Sequence, residues 1–162
     1  MAVNQRVNGE RTIDRVNRSL LSELQGDGRL SLAELGRRVG LTGPAVAERL
    51  QRLEEEGVIA GYRAVVNPRA LGLGFSAVVR IRPDARQLSK VAELARRTPE
   101  VVECHRITGE DCYFMRMHLR DVQHLEEVID QFVIYGQTTT SIVQSSPVPL
   151  RGIDIERALG AP

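Results

Sequence analysis

Apolar residues in the first third of the chain recur every three or four positions, the spacing of one face of an α-helix. One such stretch begins at Ile13, a second covers residues 30–40 and a third covers residues 40–56. Ser31 is followed three places later by Glu34, and this pair has the form of a capping box that opens the second stretch. The pattern therefore predicts three helices with very short connections.

The junction between the second and third predicted helices contains a break followed by a start signal. Gly40 can end one helix, Thr42 can cap the next, and Pro44 suits its first turn. The connection is then about three residues long, which is the spacing of a helix-turn-helix. In the third helix, apolar residues fall on one face and charged residues on another. This pattern is typical of a DNA-binding domain, but also of a three-helix bundle with a solvated charged face.

The second half of the chain alternates between period-two and helical patterns. The order is strand, helix, strand, strand, helix, strand, which predicts a ferredoxin-like four-stranded antiparallel sheet with two helices on one face. The fold class is therefore α+β. The predicted strands are residues 75–83, 100–108, 112–119 and 136–148, and the predicted helices are residues 87–99 and 121–133.

These elements divide the chain into five predicted segments. The first is a flexible tail, the second a helix-turn-helix domain, the third a hinge strand with a linker, the fourth the βαββαβ domain and the fifth a C-terminal tail. Their bounds are 1–12, 13–58, 59–73, 74–150 and 151–162.

One face of the predicted sheet has no helix to cover it. We expect this face to carry Val78, Val102, Cys104 and Phe114, or their alternates, and such a surface is too apolar to face water comfortably. The simplest partner is a second copy of the chain, which would form a symmetric dimer.

The charge balance limits how the chain can bind nucleic acid. The formal net charge is +1, and residues 1–60 contain nine arginines and nine acidic residues. Because no basic field surrounds the predicted helix-turn-helix, its arginines must be segregated onto one face if it binds DNA. The N-terminus is polar and no apolar run approaches the ~18 residues of a membrane helix, so we expect a cytoplasmic protein without membrane association.

The sequence offers little for catalysis. His105, His118 and His124 lack the paired spacing with cysteine that zinc sites use, and no Gly-rich phosphate loop of the usual form is present. Cys104 and Cys112 are expected to be free thiols. Cys112 with His105 is only a weak signal of a nucleophile and its base. We therefore predict no enzymatic activity, no cofactor and no metal.

Candidate DNA contacts lie on the polar side of the third helix and at the end of the second. Arginine can bind guanine edges or phosphates, and glutamate can accept a hydrogen bond from cytosine. A threonine at the N-terminus of the third helix can add a phosphate contact, helped by the helix dipole. The candidates are Arg37, Arg38, Thr42, Pro44, Ala45, Glu48, Arg49 and Arg52.

From Ile13 to about Val148 the sequence resembles the Lrp/AsnC family, the leucine- and asparagine-responsive or feast/famine transcription regulators. Four stretches in the family's order carry the resemblance: VNRSLLSELQGDGRLSLAELGRRVGLT, VAERLQRLEEEGVIAGYRAVVNPRALG, ECHRITGEDCYFMRM and GQTTTSIVQSSPV. The resemblance implies an N-terminal helix-turn-helix, a hinge strand and a C-terminal ligand-sensing βαββαβ domain. It also implies double-stranded DNA and an amino-acid effector as ligands, and dimers through the sheet domain that commonly assemble into octamers.

The loop TGED and the following CY match the glycine-containing effector loop of that family. The resemblance implies effector contacts from Gly109, Glu110, Asp111, Cys112 and Tyr113. The chain departs from the family at Cys112, where many members carry aspartate.

An α-amino acid needs a carboxylate or carbonyl for its ammonium, and N–H or hydroxyl donors for its carboxylate. The hydroxyl-rich last strand can supply such donors, although threonine is also common in any strand for its β-propensity. These candidates are Thr138, Thr139, Thr140 and Ser141.

Two other functions remain as alternatives. One is an enzyme of the sirohaem decarboxylase type, which some relatives with this architecture resemble, and the other is an amino-acid sensor that acts through protein partners. The intact SLAELGRRVGLTGPAVAERLQRLE argues against the enzyme, which has no need of an exposed arginine-bearing helix. We therefore predict a sequence-specific DNA-binding transcriptional regulator whose assembly or DNA binding responds to a small effector, with an amino acid as the implied class.

Overall fold

The computed structural model describes residues 13–84 and 86–160, and the tail predicted over residues 1–12 lies outside the described residues. The chain divides into two compact units. Of the described residues, one unit comprises 13–65 together with 148–160, and the other comprises 66–84 together with 86–147.

The N-terminal part of the first unit contains the three predicted helices. They are α1 (Arg15–Gly26), α2 (Leu32–Val39) and α3 (Gly43–Glu55), which confirms the helices expected from the apolar spacing. The apolar stripes of all three meet in one buried core, because each helix has only one face that is free of charge. The fully buried members of this core are Leu20, Leu35, Val46 and Leu53.

The helix ends are fixed by short side chains and by a glycine. Asp14 Oδ1 accepts a hydrogen bond from the Asn17 N–H at 2.7 Å, and Ser31 Oγ accepts one from the Glu34 N–H at 3.2 Å. Both are bonds that an N-cap residue makes to the first turn of its helix. Gly40 ends α2 with φ 73°, in the left-handed region that favours glycine at this position.

The turn between α2 and α3 lies directly against α2 at Gly36. The N–H of Leu41 donates to the carbonyl oxygen of Gly36 at 2.8 Å. A Cβ placed at Gly36 would overlap the Leu41 carbonyl oxygen and stand 3.3 Å from the Thr42 carbonyl carbon. Because these are backbone atoms, no rotamer change can make room, and the missing side chain sets how closely the turn approaches α2.

The C-terminal segment is part of the same unit. The sequence predicted only a tail here, whereas the structure has a short helix, α6 (Ile155–Leu159), that contacts α1. Gln25 makes two hydrogen bonds to the backbone of Ile153, from its Nε2 to the carbonyl oxygen at 3.0 Å and to its Oε1 from the N–H at 2.6 Å. Arg18 NH1 donates to the Gly160 carbonyl oxygen at 3.2 Å. The segment is therefore attached to α1 at both ends.

The hinge strand predicted within residues 59–73 does not form in this chain. Residues 60–67 have no regular secondary structure, and Pro68–Leu71 form a short 3₁₀ helix instead. A strand needs a neighbour that satisfies its backbone groups, and in the described part of the chain no strand pairs with these residues. The β-branched and aromatic side chains that suggested a strand are exposed here, and Val65 is 87% exposed.

The second unit has the predicted strand and helix order. Its sheet has the order β2-β3-β1-β4 and is antiparallel throughout, which confirms the ferredoxin-like arrangement. Its elements are β1 (Phe75–Pro83), α4 (Leu88–Arg97), β2 (Val101–Arg106), β3 (Tyr113–Leu119), α5 (Val122–Val133) and β4 (Gly136–Ile142).

The core of the second unit lies between the sheet and its two helices. Alternate residues of β1 and β3 point to this side and are buried, as period-two alternation requires. The helices add one buried apolar stripe each. Fully buried members are Val79, Ile81, Met115, Met117, Val91 and Phe132.

The composition of the open sheet face differs from the prediction. Val78 and Phe114 occupy the face opposite the buried residues, as expected. Cys104 instead pairs with Met115 and so shares the helix-covered side, and Val102 lies in a shift of register between Val101 and Glu103. The extra residue at a bulge moves every later side chain to the other face, which simple alternation cannot foresee.

The rest of the open face is polar, so the expectation of a largely apolar surface is wrong. Glu103 forms an ion pair with Arg116 at 2.6 Å, and its Oε1 lies within hydrogen-bond distance of His105 Nε2 at 2.7 Å. Ser76 Oγ and His118 Nδ1 are 2.9 Å apart. These polar groups bond to one another within β2 and between neighbouring strands, so this face does not need an apolar partner to shield it from water.

Candidate DNA interface and effector loop

The orientation of α3 separates its two faces. Val46, Leu50 and Leu53 are buried in the core of the first unit. The opposite side exposes Pro44, Glu48, Gln51 and Arg52 to solvent. The predicted division of this helix into a packing face and a polar face is therefore present in the structure.

Two arginines of α3 have carboxylate partners, and the partners differ in position. Arg52 pairs with Glu48, one turn earlier on the same exposed face. Arg49 NH1 donates to Asp14 Oδ2 at 2.7 Å and to Asn17 Oδ1 at 3.0 Å. Arg49 thus connects α3 to the start of α1, whereas Arg52 and Glu48 stay on the solvent side. Sequence spacing alone treated both arginines as equivalent.

The two arginines at the end of α2 share one carboxylate. Arg37 contacts Glu34 through Nε at 2.9 Å and NH2 at 2.6 Å, and Arg38 Nε donates to the same carboxylate at 2.8 Å. Hydrogen bonds from Arg37 and then Arg38 lower the pKa of Glu34 to about 2. Arg38 NH1 also donates to Glu23 of α1 at 2.6 Å. The capping box is thus half realised, because the Glu34 N–H bonds to Ser31 while its carboxylate accepts from the two arginines.

The remaining DNA candidates surround the N-terminus of α3. Thr42 occupies the N-cap position, is exposed, and makes no side-chain bond to the first turn. Pro44 lies in that first turn and Ala45 is half-buried behind it. The Thr42 hydroxyl therefore stands at the positive end of the helix without a capping bond to make.

The predicted effector loop is held against the end of β1. The N–H of Cys112 donates to the carbonyl oxygen of Ile81 at 2.9 Å, and the N–H of Ile107 donates to the carbonyl oxygen of Cys112 at 2.9 Å. Gly109 lies between these anchors with φ 115°, in the region that favours glycine, and a Cβ added there would meet no atom within 4 Å. Gly109 therefore lies at an open tip between two fixed ends.

Both loop carboxylates face arginines of β1. Asp111 lies 3.2 Å from Arg80, and Glu110 lies 2.6 Å from Arg82. Arg82 Nε also donates to the carbonyl oxygen of Glu110 at 2.9 Å. Neither arginine is among the effector contacts predicted from the sequence. Period-two alternation along β1 places them on the open face, away from the buried Val79 and Ile81, and could have found them.

The structure separates the other predicted effector residues. Tyr113 is buried, and its hydroxyl donates to the carbonyl oxygen of Leu88 at 3.0 Å, while Cys112 is half-buried against the same core. In β4, Thr139 pairs with Arg80 and Ser141 with Val78, so these two share the open face. Thr138 and Thr140 point to the helix side. The set brought together on the open face is therefore Asp111, Glu110, Thr139 and Ser141 with the two β1 arginines.

Residues 13–84 and 86–160 contain neither a metal-binding cluster nor a membrane-spanning helix. In that part of the chain, His, Cys, Asp and Glu nowhere gather in a group of three or more suited to a metal ion. None of the described helices has the length and apolar character needed to cross a membrane.

Comparison with known families assigns both units. The AsnC-type helix-turn-helix domain matches residues 13–54, and the Lrp/AsnC ligand binding domain matches residues 76–153. The chain belongs to the Lrp/AsnC family. It is a transcriptional regulator with a helix-turn-helix domain, and the resemblance of its sequence to this family is confirmed.

Relatives of known name cover nearly the whole fold. The transcriptional regulator LrpC of Bacillus subtilis is 31% identical over 82% of this chain and 92% of its own length. The leucine-responsive regulatory protein of Escherichia coli is 33% identical over 75% of this chain and 76% of its own. A solved structure of the feast or famine regulatory protein of M. tuberculosis, complexed with L-methionine, has a TM-score of 0.81 at 33% identity, covering 87% of this chain and 98% of that one.

Proposed function

We propose that this Lrp/AsnC regulator binds double-stranded DNA with the exposed face of α3 and adjusts that binding when an amino acid occupies the effector loop. The proposal that α3 binds DNA rests on its exposed side. Arg52 and Glu48 lie there outside the core, in a helix-turn-helix of this family. Arginine and glutamate are groups that bind guanine and cytosine edges in the major groove.

Phosphate contacts complete this proposed interface. Arg37 and Arg38 at the end of α2, and Thr42, Pro44 and Ala45 at the start of α3, flank the exposed face. We assign Arg49 a second role, because its bonds to Asp14 and Asn17 hold α3 against α1. Its loss should weaken DNA binding through the position of α3 as well as through any direct contact.

We further propose that the effector is an amino acid bound at the loop tip and the open sheet face. Solved relatives at 33% and 26% identity are complexes with L-methionine, which supports this ligand class. Asp111 and Glu110 offer carboxylates for an ammonium, and Arg80 with Thr139 offers donors for a carboxylate. Gly109 leaves the tip open for the ligand, and Cys112 and Tyr113 support the loop from below through the core.

We propose that the regulator is a homo-oligomer that pairs through its sheet domain, acts in the cytoplasm and has no enzymatic activity. Its relatives are named as transcriptional regulators, which supports a non-enzymatic role. The octamer is the higher assembly that the family resemblance implies.

A mobility-shift titration tests the proposed function as a whole. The probe is the duplex DNA upstream of the protein's own gene, titrated in the absence and presence of each of the standard amino acids. We expect saturable binding that competitor DNA of random sequence does not abolish, and a changed affinity with at least one amino acid. Absence of sequence-selective binding would contradict the proposal that the protein recognises specific DNA. Binding that no amino acid alters would contradict the proposal that an amino acid is the effector.

A further inference from the structure

The end of α2 carries a compact, electrically neutral cluster. Two guanidinium groups, Arg37 and Arg38, and two carboxylates, Glu34 and Glu23, are joined by ion pairs of 2.6 to 2.8 Å. Glu34 is the centre, because its carboxylate contacts both arginines while Glu23 contacts only Arg38. Its two arginines, Arg37 and Arg38, are the residues from which the sequence predicts phosphate contacts.

The cluster adds little to the stability of the fold. The Arg37 side chain is 73% exposed and that of Arg38 is 40% exposed, and ion pairs at such exposure add little to stability. The cap of α2 is made by Ser31 Oγ and the Glu34 N–H, so the Glu34 carboxylate is not needed for it. Its contacts with Arg37 and Arg38 are i, i+3 and i, i+4 pairs on the surface of one helix, and they fix the direction in which the two guanidinium groups point.

A carboxylate at this position has two opposite effects on DNA binding. It repels nearby phosphates, which lowers affinity for any duplex, since non-specific binding is almost entirely electrostatic. It also fixes the direction of two flexible guanidinium groups, so that less conformational entropy is lost when a phosphate binds them. The second effect helps only where phosphates lie in the matching register, as they do on a specific site.

We propose that Glu34 is a positioning residue of the DNA interface: it orients Arg37 and Arg38 for the specific site and reduces binding to all other DNA. This inference rests on the proposed interface at α2 and α3. Glu34 then contributes to the regulator's preference for its specific site over other DNA through the two arginines, without a DNA contact of its own.

The variant Glu34→Gln tests this inference with little risk to folding, because glutamine has the same size and suits the same position of a capping box. The probe is a random-sequence duplex of about 30 base pairs, with affinity measured by fluorescence anisotropy against KCl concentration. Each net cation added to an interface steepens the slope of log affinity against log salt by about 0.9. If Glu34→Gln and the wild type bind equally near 1 M salt, a slope that is steeper by about 0.9 makes the affinity of the variant about eightfold higher at 0.1 M salt.

The same variant should lose selectivity. Affinity for the upstream DNA of the protein's own gene is expected to rise less than eightfold, so the ratio of specific to non-specific affinity falls. Glu93→Gln, an exposed carboxylate on α4 in the other unit, makes the same change in net charge and should leave both slope and ratio unchanged. Circular dichroism melting of each variant confirms that the helices remain folded.

The outcomes separate this inference from the interface on which it rests. A slope and ratio for Glu34→Gln equal to those of Glu93→Gln would overturn the role of Glu34. The double variant Arg37→Ala, Arg38→Ala should make the slope shallower by about 1.8, two times the value for one phosphate contact. An unchanged slope in that double variant would instead overturn the placement of the end of α2 at the DNA.

Discussion

Replacing Gly36 by alanine should destabilise the first unit and displace α3, the helix that we propose binds DNA. The added Cβ would overlap the carbonyl oxygen of Leu41 and stand 3.2 Å from the Leu41 carbonyl carbon. Both atoms belong to the turn between α2 and α3. The turn can relieve the overlap only by moving away from α2 and carrying the start of α3 with it.

The size of the effect follows from two opposing contributions. Alanine in place of glycine inside a helix contributes about 1 kcal/mol of stability. Overpacking costs about 1–3 kcal/mol, and the upper end applies here because the opposing atoms are backbone. The net loss is therefore about 2 kcal/mol. For a domain of this size, each kcal/mol lowers the melting temperature by about 4–8 °C, so the expected decrease is about 8–16 °C.

Thermal unfolding followed by circular dichroism at 222 nm measures this loss, with DNA binding measured on the same samples at 20 °C. Gly43→Ala is the matched control. Its Cβ would lie 3.8 Å from the nearest atom, in ordinary contact, so this variant should melt at or above the wild-type temperature. If Gly36→Ala has the same melting temperature as Gly43→Ala and binds DNA as the wild type does, then the close approach at Gly36 does not set the geometry of the helix-turn-helix.

Two further predictions concern other parts of the chain. Gln25→Ala removes both hydrogen bonds to Ile153 and should reduce the free energy of unfolding of the first unit by about 1–2 kcal/mol, with faster hydrogen exchange at the Ile153 amide; unchanged exchange there would show that α6 is not held by Gln25. Gly109→Trp fills the open loop tip and should abolish the effect of the amino acid on DNA affinity while leaving the affinity without effector within about twofold. A response that persists in this variant would place the effector elsewhere.

The regular elements were predictable because each depends on its own residues. Helical spacing identified α1, α2 and α3, and the short turn after Gly40 identified the helix-turn-helix. Period-two alternation identified the strands of the second unit, and their order was enough to fix the topology. The division of α3 into a buried face and an exposed polar face, which we propose as the DNA-binding face, followed from the same pattern.

The features that were missed depend on distant residues or on a single irregular step. The bulge after Val101 reversed the face of Cys104, and no alternation pattern reports such a step in advance. The helix α6 is anchored by Gln25, which is 128 positions away along the chain. The strand expected within residues 59–73 lacks a pairing partner in the described chain, and a strand-like composition cannot supply one.

Side-chain pairing was the part of the candidate site that the sequence could not resolve. Arg49 and Arg52 are three positions apart, yet one contacts α1 and the other stays on the exposed face. Glu34 has the spacing of a cap, but its carboxylate contacts two arginines. The contact of Arg49 depends on where α1 places Asp14, which only the packed structure determines, whereas the pairs of Arg37 and Arg38 with Glu34 and of Arg52 with Glu48 have the i, i+3 or i, i+4 spacing of neighbours on one helix.

The affinity of Arg52→Ala for the upstream DNA tests the central claim, that the exposed face of α3 contacts DNA, most directly. A lost arginine contact to a base or phosphate costs about 1–3 kcal/mol, so the variant should bind roughly 5- to 150-fold more weakly. Arg97→Ala, at the exposed end of α4 in the other unit, makes the same truncation and the same change in net charge away from the proposed interface. We expect Arg52→Ala to bind far more weakly than Arg97→Ala, with both folded at the assay temperature. Equal affinity in Arg52→Ala and wild type would contradict the account, because α3 would then not contact DNA through its exposed arginine.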